Sequence, residues 1–410
     1  MKHSISVRTA LMPLYYKDFH CLMGACQDTC CAGWKIEFSK KDYLAIKRAV
    51  DGTKDEELKE LCGKSVVRLR EREHDNLYAE FPMNEAERCG FLREDGLCAL
   101  QLGCGEKTLP EVCKTFPRLA RRSLAAKELS LSTACEGVLA LLWDLPEGVD
   151  FWEEPLEKKD WKMYEANNAV AARFADIRSF CIDVLQERAL KLPQRLLFLG
   201  LMLQQLRDAD WEAEGVVDAW LEKGERLLHD PAVSAELAQL PGNRNMFLAH
   251  NHRVMTASVV GQSGASAELA NELWSSILGV VPKEDGGSLI TFHEGRYQEL
   301  EERLAGLLGG SEYFFENLMV SIAFHLEFPA LSDPEKLWKS YVNLCNLYSV
   351  FRFSAVCGCD KEVSKERLFH VLVGVSRSLL HNNTRRNHLR DEFFKNDSAT
   401  LAHMAILVNG

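Results

Sequence analysis

Cys21, Cys26, Cys30 and Cys31 fall within eleven residues, and Gly33-Trp34 closes the run. Thiolates are soft ligands, and a short loop presenting several of them suits zinc, copper(I) or an iron–sulfur cluster. Free cysteine also packs as a small buried hydrophobe, but four at this density point to a metal or cluster. A second group, Cys89 and Cys98, flanks Asp95-Gly96, and an Asp-Gly turn between short hydrophobic pieces is a hairpin signal that folds the two thiols together. Cys113 sits between Pro110 and Pro117, and Cys135 follows the alternating run Leu129 to Ser132. These eight thiols exceed the four needed by one structural zinc or one [4Fe–4S] cluster, so there are two sites or some members stand aside. Cys62 reads as core, and Cys104, between Gly103 and Gly105, as either ligand or bystander.

Several chemistries are excluded by spacing. The cysteines form neither paired C-x2-C zinc-ribbon knuckles nor the C-x3-C-x2-C triplet of a radical S-adenosylmethionine enzyme. There is no phosphate loop, no dinucleotide-binding glycine motif and no G-x-S-x-G elbow. His250 and His252 form a His-x-His pair without a cysteine or acid nearby, and His370, Arg377 and His381 share one helical face, which reads as the polar edge of a packed helix. Lys114, Arg118, Arg121, Arg122 and Lys127 make a basic run, either a solvated surface or a seat for an anion or acidic partner.

The elements that must position these residues follow from periodicity. Trp34–Phe38 alternates as a short strand, and Ser39 caps a helix over 40–50. A charged, helix-favouring stretch covers 53–72. Residues 143–161 read as an acidic linker with Pro146 and Pro155. Helical spacing then marks 170–185, 194–206 after Pro193, 216–228 and 234–240, with 241–265 loop-like and a Gly-rich break at 284–288. Further helices are expected over 313–328, 337–356 and 362–381. Ten of the fourteen cysteines precede residue 136, which divides the chain near 140. The expected fold is mainly α: a cysteine-rich metal- or cluster-binding domain with short hairpins over 1–140, then an all-α helical domain over 141–410 for docking a partner or substrate. A net charge of −11 argues against a general nucleic-acid binder. With no secretory signal and no long apolar run, membrane insertion is not expected, and the chain reads as cytoplasmic.

Tyr15-Tyr16-Lys17-Asp18-Phe19, Cys-x4-Cys-x-Asp-Thr-Cys-Cys-x-Gly-Trp, Cys89-x-Phe-Leu, Gly96-Leu-Cys98 and Leu109-Pro-Glu-Val-Cys113-x-Thr-Phe-Pro-Arg118 resemble the bacterial flagellin lysine-N-methylase family. The cysteine layout is also similar to a broader group of zinc- or iron-chelating cysteine domains. Cys89-Gly90 replaces that family's cysteine-proline pair, and Ser132-Thr133-Ala134-Cys135 departs from its Leu-Ser-Cys-Pro. The resemblance implies methyl transfer from S-adenosylmethionine to lysine ε-amines of flagellin, by an enzyme carrying an iron–sulfur cluster, [4Fe–4S] in type, with zinc the alternative. It marks Cys21, Cys26, Cys30, Cys31, Cys89, Cys98, Cys113 and Cys135 as the metal set. The competing readings are a non-catalytic metal-binding scaffold or metal carrier, and a redox sensor built on Cys30-Cys31.

Overall fold

The computed structural model describes residues 3–70, 75–259, 265–282, 288–381 and 383–410. Most of it is helical, as the periodicity requires. Two hydrophobic cores organise the chain. The smaller gathers Ile36, Phe38, Ile46, Val50, Phe81, Phe91 and Leu100. The larger runs from Tyr15 and Phe19 through Leu131 and Val138 into the C-terminal helices. The first and last parts of the cysteine-rich third therefore share a core with the helical body.

Local signals work as written. Ser39 Oγ accepts from the Asp42 N–H at 3.2 Å and starts the helix Lys40–Gly52. The charged stretch gives the helix Glu56–Ser65, capped by Asp55, and then turns into the strand Val67–Arg68; residues 71 and 72 lie outside the described residues. The long helix Pro334–Gly358 starts at Asp333, whose carboxylate accepts from the Lys336 N–H at 2.8 Å. It is buried almost throughout, because it lies between the helices Leu192–Asp208 and Lys365–Leu379.

Three expectations change. Residues 143–161 are not a linker: the helix Glu136–Trp143 ends there and Phe151–Pro155 forms a strand antiparallel to Thr9–Pro13, with Met12 opposite Trp152. Lys162–Ala166 likewise pairs with His3–Val7. The part after residue 141 is consequently not all-α, and it also holds a hairpin of Leu278–Pro282 with Ser288–Phe292. Acidic residues on a strand with one solvated face look like a linker when the pairing partner is some 140 residues away in sequence. Residues 244–259, expected as loop, form the helix Arg244–Val259. Of the Gly-rich break at 284–288, all but Ser288 lie outside the described residues.

The sheet order is Arg118–Arg122, Lys127–Leu131, Thr9–Pro13, Phe151–Pro155, with the middle pair parallel and the outer pairs antiparallel. Against its far side packs the helix Tyr313–His325. His325, at its end, is buried, and burial first, then the cations Arg121 and Arg386 and the nearby His381, push its imidazole down to about 3 from 6.5. An unfolded histidine takes its proton near 6.5, whereas the folded one resists until about 3. The unfolded state thus binds more protons in that window, and stability should fall as pH drops through it, by at most about 1.4 kcal/mol per pH unit from this group. Urea midpoints at pH 7.5 and 5.5 check this, and His325→Gln should flatten the difference.

Candidate metal and cysteine site

The opening loop is held from three sides. On the first, Cys89 N–H donates to Cys31 O at 2.7 Å and Gly33 N–H to Glu87 O at 2.9 Å, so the loop lies along the second cysteine segment. The Asp-Gly turn forms as its sequence demands: Arg93 N–H donates to Leu97 O at 2.9 Å, Gly96 takes φ +76, and Leu92 bridges Cys98. That turn touches the opening loop so closely that a Cβ on Gly96 would sit 2.9 Å from Gly24 Cα, and one on Gly24 would sit 2.6 Å from Asp95 O. Glycine is required at both positions by this approach of two backbones.

On the second side, Glu136 opens the helix Glu136–Trp143 and its carboxylate accepts from the N–H groups of Gln27 at 2.8 Å and Asp28 at 3.0 Å and from the Cys26 thiol at 3.4 Å. Burial, then this carboxylate, pushes the Cys26 thiol up to about 12. Glu136→Ala should release the loop at a cost of about 1 kcal/mol, the ordinary net worth of hydrogen bonds to partly exposed donors. Hydrogen exchange at Gln27 and Asp28 should then rise by tens of fold relative to the helix Lys40–Gly52, which should not respond.

The third side is the helix Lys365–Leu379. Arg377 donates through Nη2 to Asp28 O at 2.7 Å and Thr29 O at 3.2 Å, and through Nη1 to Ala32 O at 3.4 Å. Its guanidinium also stands 5.0 Å from the Trp34 ring. His370 Nδ1 meets Asp28 Oδ1 at 2.8 Å. His381 lies edge-on to Trp34 at 5.0 Å between ring centroids and meets Ser132 Oγ at 2.7 Å. The polar edge seen in the sequence is a latch on the cysteine loop. Its partners lie about 340 residues upstream, and no local pattern signals them.

Within this frame the thiols separate. Cys31, Cys89, Cys98 and Cys113 pack around the smaller core, and Cys113 is within electrostatic reach of the other three. Cys30 reaches Cys31, Cys113 and Cys21, while Cys135 reaches Cys21, and Cys26 reaches Cys135. Electrostatic neighbourhood thus links the eight thiols into two adjoining groups, joined at Cys30, which together make up the cysteine wall. Cys62 and Cys104 face each other elsewhere on the smaller core. Among the described residues, no three ligand side chains are closed into a coordination sphere. His250 and His252 do not join either group: the first meets Asn346 Oδ1 at 2.9 Å, and the second packs on Trp274.

The donor set nonetheless fits a thiolate-bound group. Burial raises Cys98, Cys89 and Cys135, and backbone N–H groups oppose it, from Leu100 and Gln101, from Phe91 and Leu92, and from Gly137 and Val138. Each of these sulfurs therefore sits where main-chain donors favour its charged form, two of them at helix starts. A hydrogen bond from Cys30, and then Thr29, Arg377 and Arg88, hold the Cys31 thiol below its ordinary value against its burial. Arg377 Nε is buried and has no hydrogen-bond partner among the described residues, a donor left over beside the thiols.

The model of the FliB lysine N-methylase C-terminal domain matches residues 178–407. Two curated proteins named lysine-N-methylase, from Salmonella typhimurium (strain LT2) and Salmonella choleraesuis, are each 25% identical over 357 residues, covering 82% of this chain and 82% of theirs. A flagellar biosynthetic protein FliU from Salmonella muenchen is 30% identical over 150 residues, 36% of this chain and 83% of its own. No solved structure matches.

Proposed function

The chain belongs to the FliB lysine N-methylase family, and from that premise we propose that it is a protein-lysine methyltransferase acting on flagellin. The observation that carries the reading is that the matched segment, 178–407, includes the helix whose His370 and Arg377 grip the cysteine loop, and His381 just beyond its end, so the family's helical part and the cysteine wall form one unit. Lysine-N-methylase names in the curated relatives, which cover most of both chains, support the reaction; the FliU relative supports a flagellar substrate. No helix among the described residues is long and apolar enough to cross a membrane.

The methyl donor in this proposal is S-adenosylmethionine, and the cysteine wall holds an iron–sulfur cluster. Cys31, Cys89, Cys98 and Cys113 would ligate it, the number one cluster needs. Cys21, Cys26, Cys30 and Cys135 form the adjoining group, available to a second site. A bound cluster would supply a compact, electron-rich metal centre. The chain's own residues do the remaining work. Trp34, Phe116 and His381 pack together at one edge of the wall with aromatic contacts of 5.0–6.2 Å. Glu136, Arg377 and Asp28 fix the loop backbone. A substrate lysine must arrive deprotonated to attack a methyl group, which desolvation against such a wall favours.

Two measurements test the proposal separately. Incubation of the protein with cognate flagellin and S-adenosylmethionine should add 14-Da increments per methyl on surface lysines by mass spectrometry, as the ~14 Da of a CH₂ requires; unmodified flagellin would overturn the activity. Anaerobic purification should return iron and sulfide with broad absorbance near roughly 400 nm, as thiolate-ligated clusters show. Zinc without sulfide would overturn the cluster while leaving the methylase standing.

A further inference from the structure

His381 stands just past the helix Lys365–Leu379, where the ends of three cysteine segments meet. Trp34, tied to the opening loop by Nε1–H donation to Cys30 O at 2.7 Å, lies 5.0 Å from its ring between centroids. Phe116, just after Cys113, lies 6.2 Å away. Ser132, just before Cys135, brings its Oγ to His381 Nε2 at 2.7 Å. Ser132 is itself fixed: it is buried, its N–H donates to Pro117 O at 2.9 Å, and its Oγ accepts from the Ala134 N–H at 3.2 Å. The imidazole is thus aimed from its Nε2 side. Its Nδ1 has no hydrogen-bond partner among the described residues, and the residue is exposed, between two rings that are half-buried.

The charges around it are of one sign. Burial of the ring first, and then Arg377, Arg386 and Arg121, hold its imidazole at about 4, down from 6.5, so it is neutral at pH 7. His325, the further titratable group that faces it, is buried and neutral as well. A lysine ammonium entering this field meets the same three cations, which lower its own pKa for the same reason. The corner therefore holds both things a methyl acceptor needs: surroundings that loosen the ammonium proton, and a vacant ring nitrogen to take it.

We propose that His381 is the proton acceptor for the substrate lysine, an assignment that rests on the methylase reading. The lysine stem lies along Trp34 and Phe116, and one ammonium proton passes to Nδ1, while Nε2–H donates to Ser132 Oγ and holds that tautomer. The freed nitrogen lone pair forms the N–C bond with the donor methyl as the C–S bond breaks. The electron pair of that bond leaves on sulfur as a neutral thioether, and the lysine becomes a methylammonium. The imidazolium returns its proton to water, a release that the three arginines favour.

Two experiments on the full, anaerobically purified protein test it. The first needs no methyl donor. Diethyl pyrocarbonate should carbethoxylate His381, flagellin should protect it, and flagellin with acetylated lysines should not; equal labelling in all three samples would overturn the assignment. The second reads initial rates of flagellin methylation. His381→Gln and His381→Ala should each lower kcat at least a hundredfold with KM for flagellin unchanged, since a positioned base contributes about 10²–10⁴. Added imidazole should restore His381→Ala at least tenfold and leave His381→Gln, whose side chain fills the space, unrestored. Hydrogen exchange of residues 26–34 should stay as in the wild type. Wild-type kcat in His381→Gln, no rescue by imidazole, or loop exchange raised in both variants would overturn the assignment, the last by making His381 a strut of the loop. A wild type that leaves flagellin unmodified would bring down the methylase reading itself, whereas an active wild type with an equally active His381→Gln brings down this assignment alone.

Discussion

Arg178→Met should destabilise the protein by about 3–5 kcal/mol, the cost of leaving one member of a buried ion pair uncompensated. Arg178 and Glu128 each have side chains only 3% exposed, and the guanidinium forks onto the carboxylate, with Nη2 to Oε2 at 3.2 Å. The same guanidinium donates through Nε to Phe328 O at 3.2 Å and lies 4.4 Å from the Phe174 ring. It therefore ties the helix Phe174–Gln186 to the strand Lys127–Leu131, joining the helical body to the sheet below the cysteine wall. Methionine fills much of the same volume, so the loss comes from stranding Glu128 more than from packing. The double variant Arg178→Met with Glu128→Gln should recover most of it, because a neutral amide needs far less solvation than a carboxylate. Urea denaturation of both variants settles the cause: if single and double variants are equally unstable, the loss is one of packing and the charge argument fails.

Arg377→Ala is expected to leave the helical body folded while the cysteine loop detaches from it. Hydrogen bonds to a charged donor are each worth about 1.5–3 kcal/mol, and Arg377 makes three to loop carbonyls besides its contact with Trp34. Losing them should raise local opening of residues 26–34 by roughly a hundredfold or more, a change of about 3 kcal/mol. Flagellin methylation should drop at least tenfold. Arg377→Lys should rescue little, since a single ammonium cannot fork onto carbonyls that three residues present in different directions. Hydrogen exchange of the loop and alkylation of Cys30 and Cys31 should rise together. Unchanged exchange with lost methylation would show that Arg377 acts on substrate and not on the loop. That result would remove it from the positioning role assigned to it.

Much of this protein is decided by its sequence alone. Cysteine density singles out the first third of the chain, the Asp95-Gly96 dipeptide carries its turn, and Ser39 starts its helix, because turn and cap preferences act over a few residues. Buried helices such as Pro334–Gly358 are legible for the same reason, since their apolar residues recur at helical spacing. The tertiary structure alone decided the rest. That Phe151–Pro155 is a strand depends on Thr9–Pro13 being beside it, and an edge strand with one wet face carries little signal of its own. The division of eight thiols into one group around Cys113 and another beside Glu136 depends on backbone N–H groups and on Gly24 meeting Gly96, which spacing does not encode. Most of all, Arg377 and His370 read as the wet edge of a helix until Asp28 is placed against them, because charge and hydrogen bonding at long range are properties of the packed chain and not of any window along it.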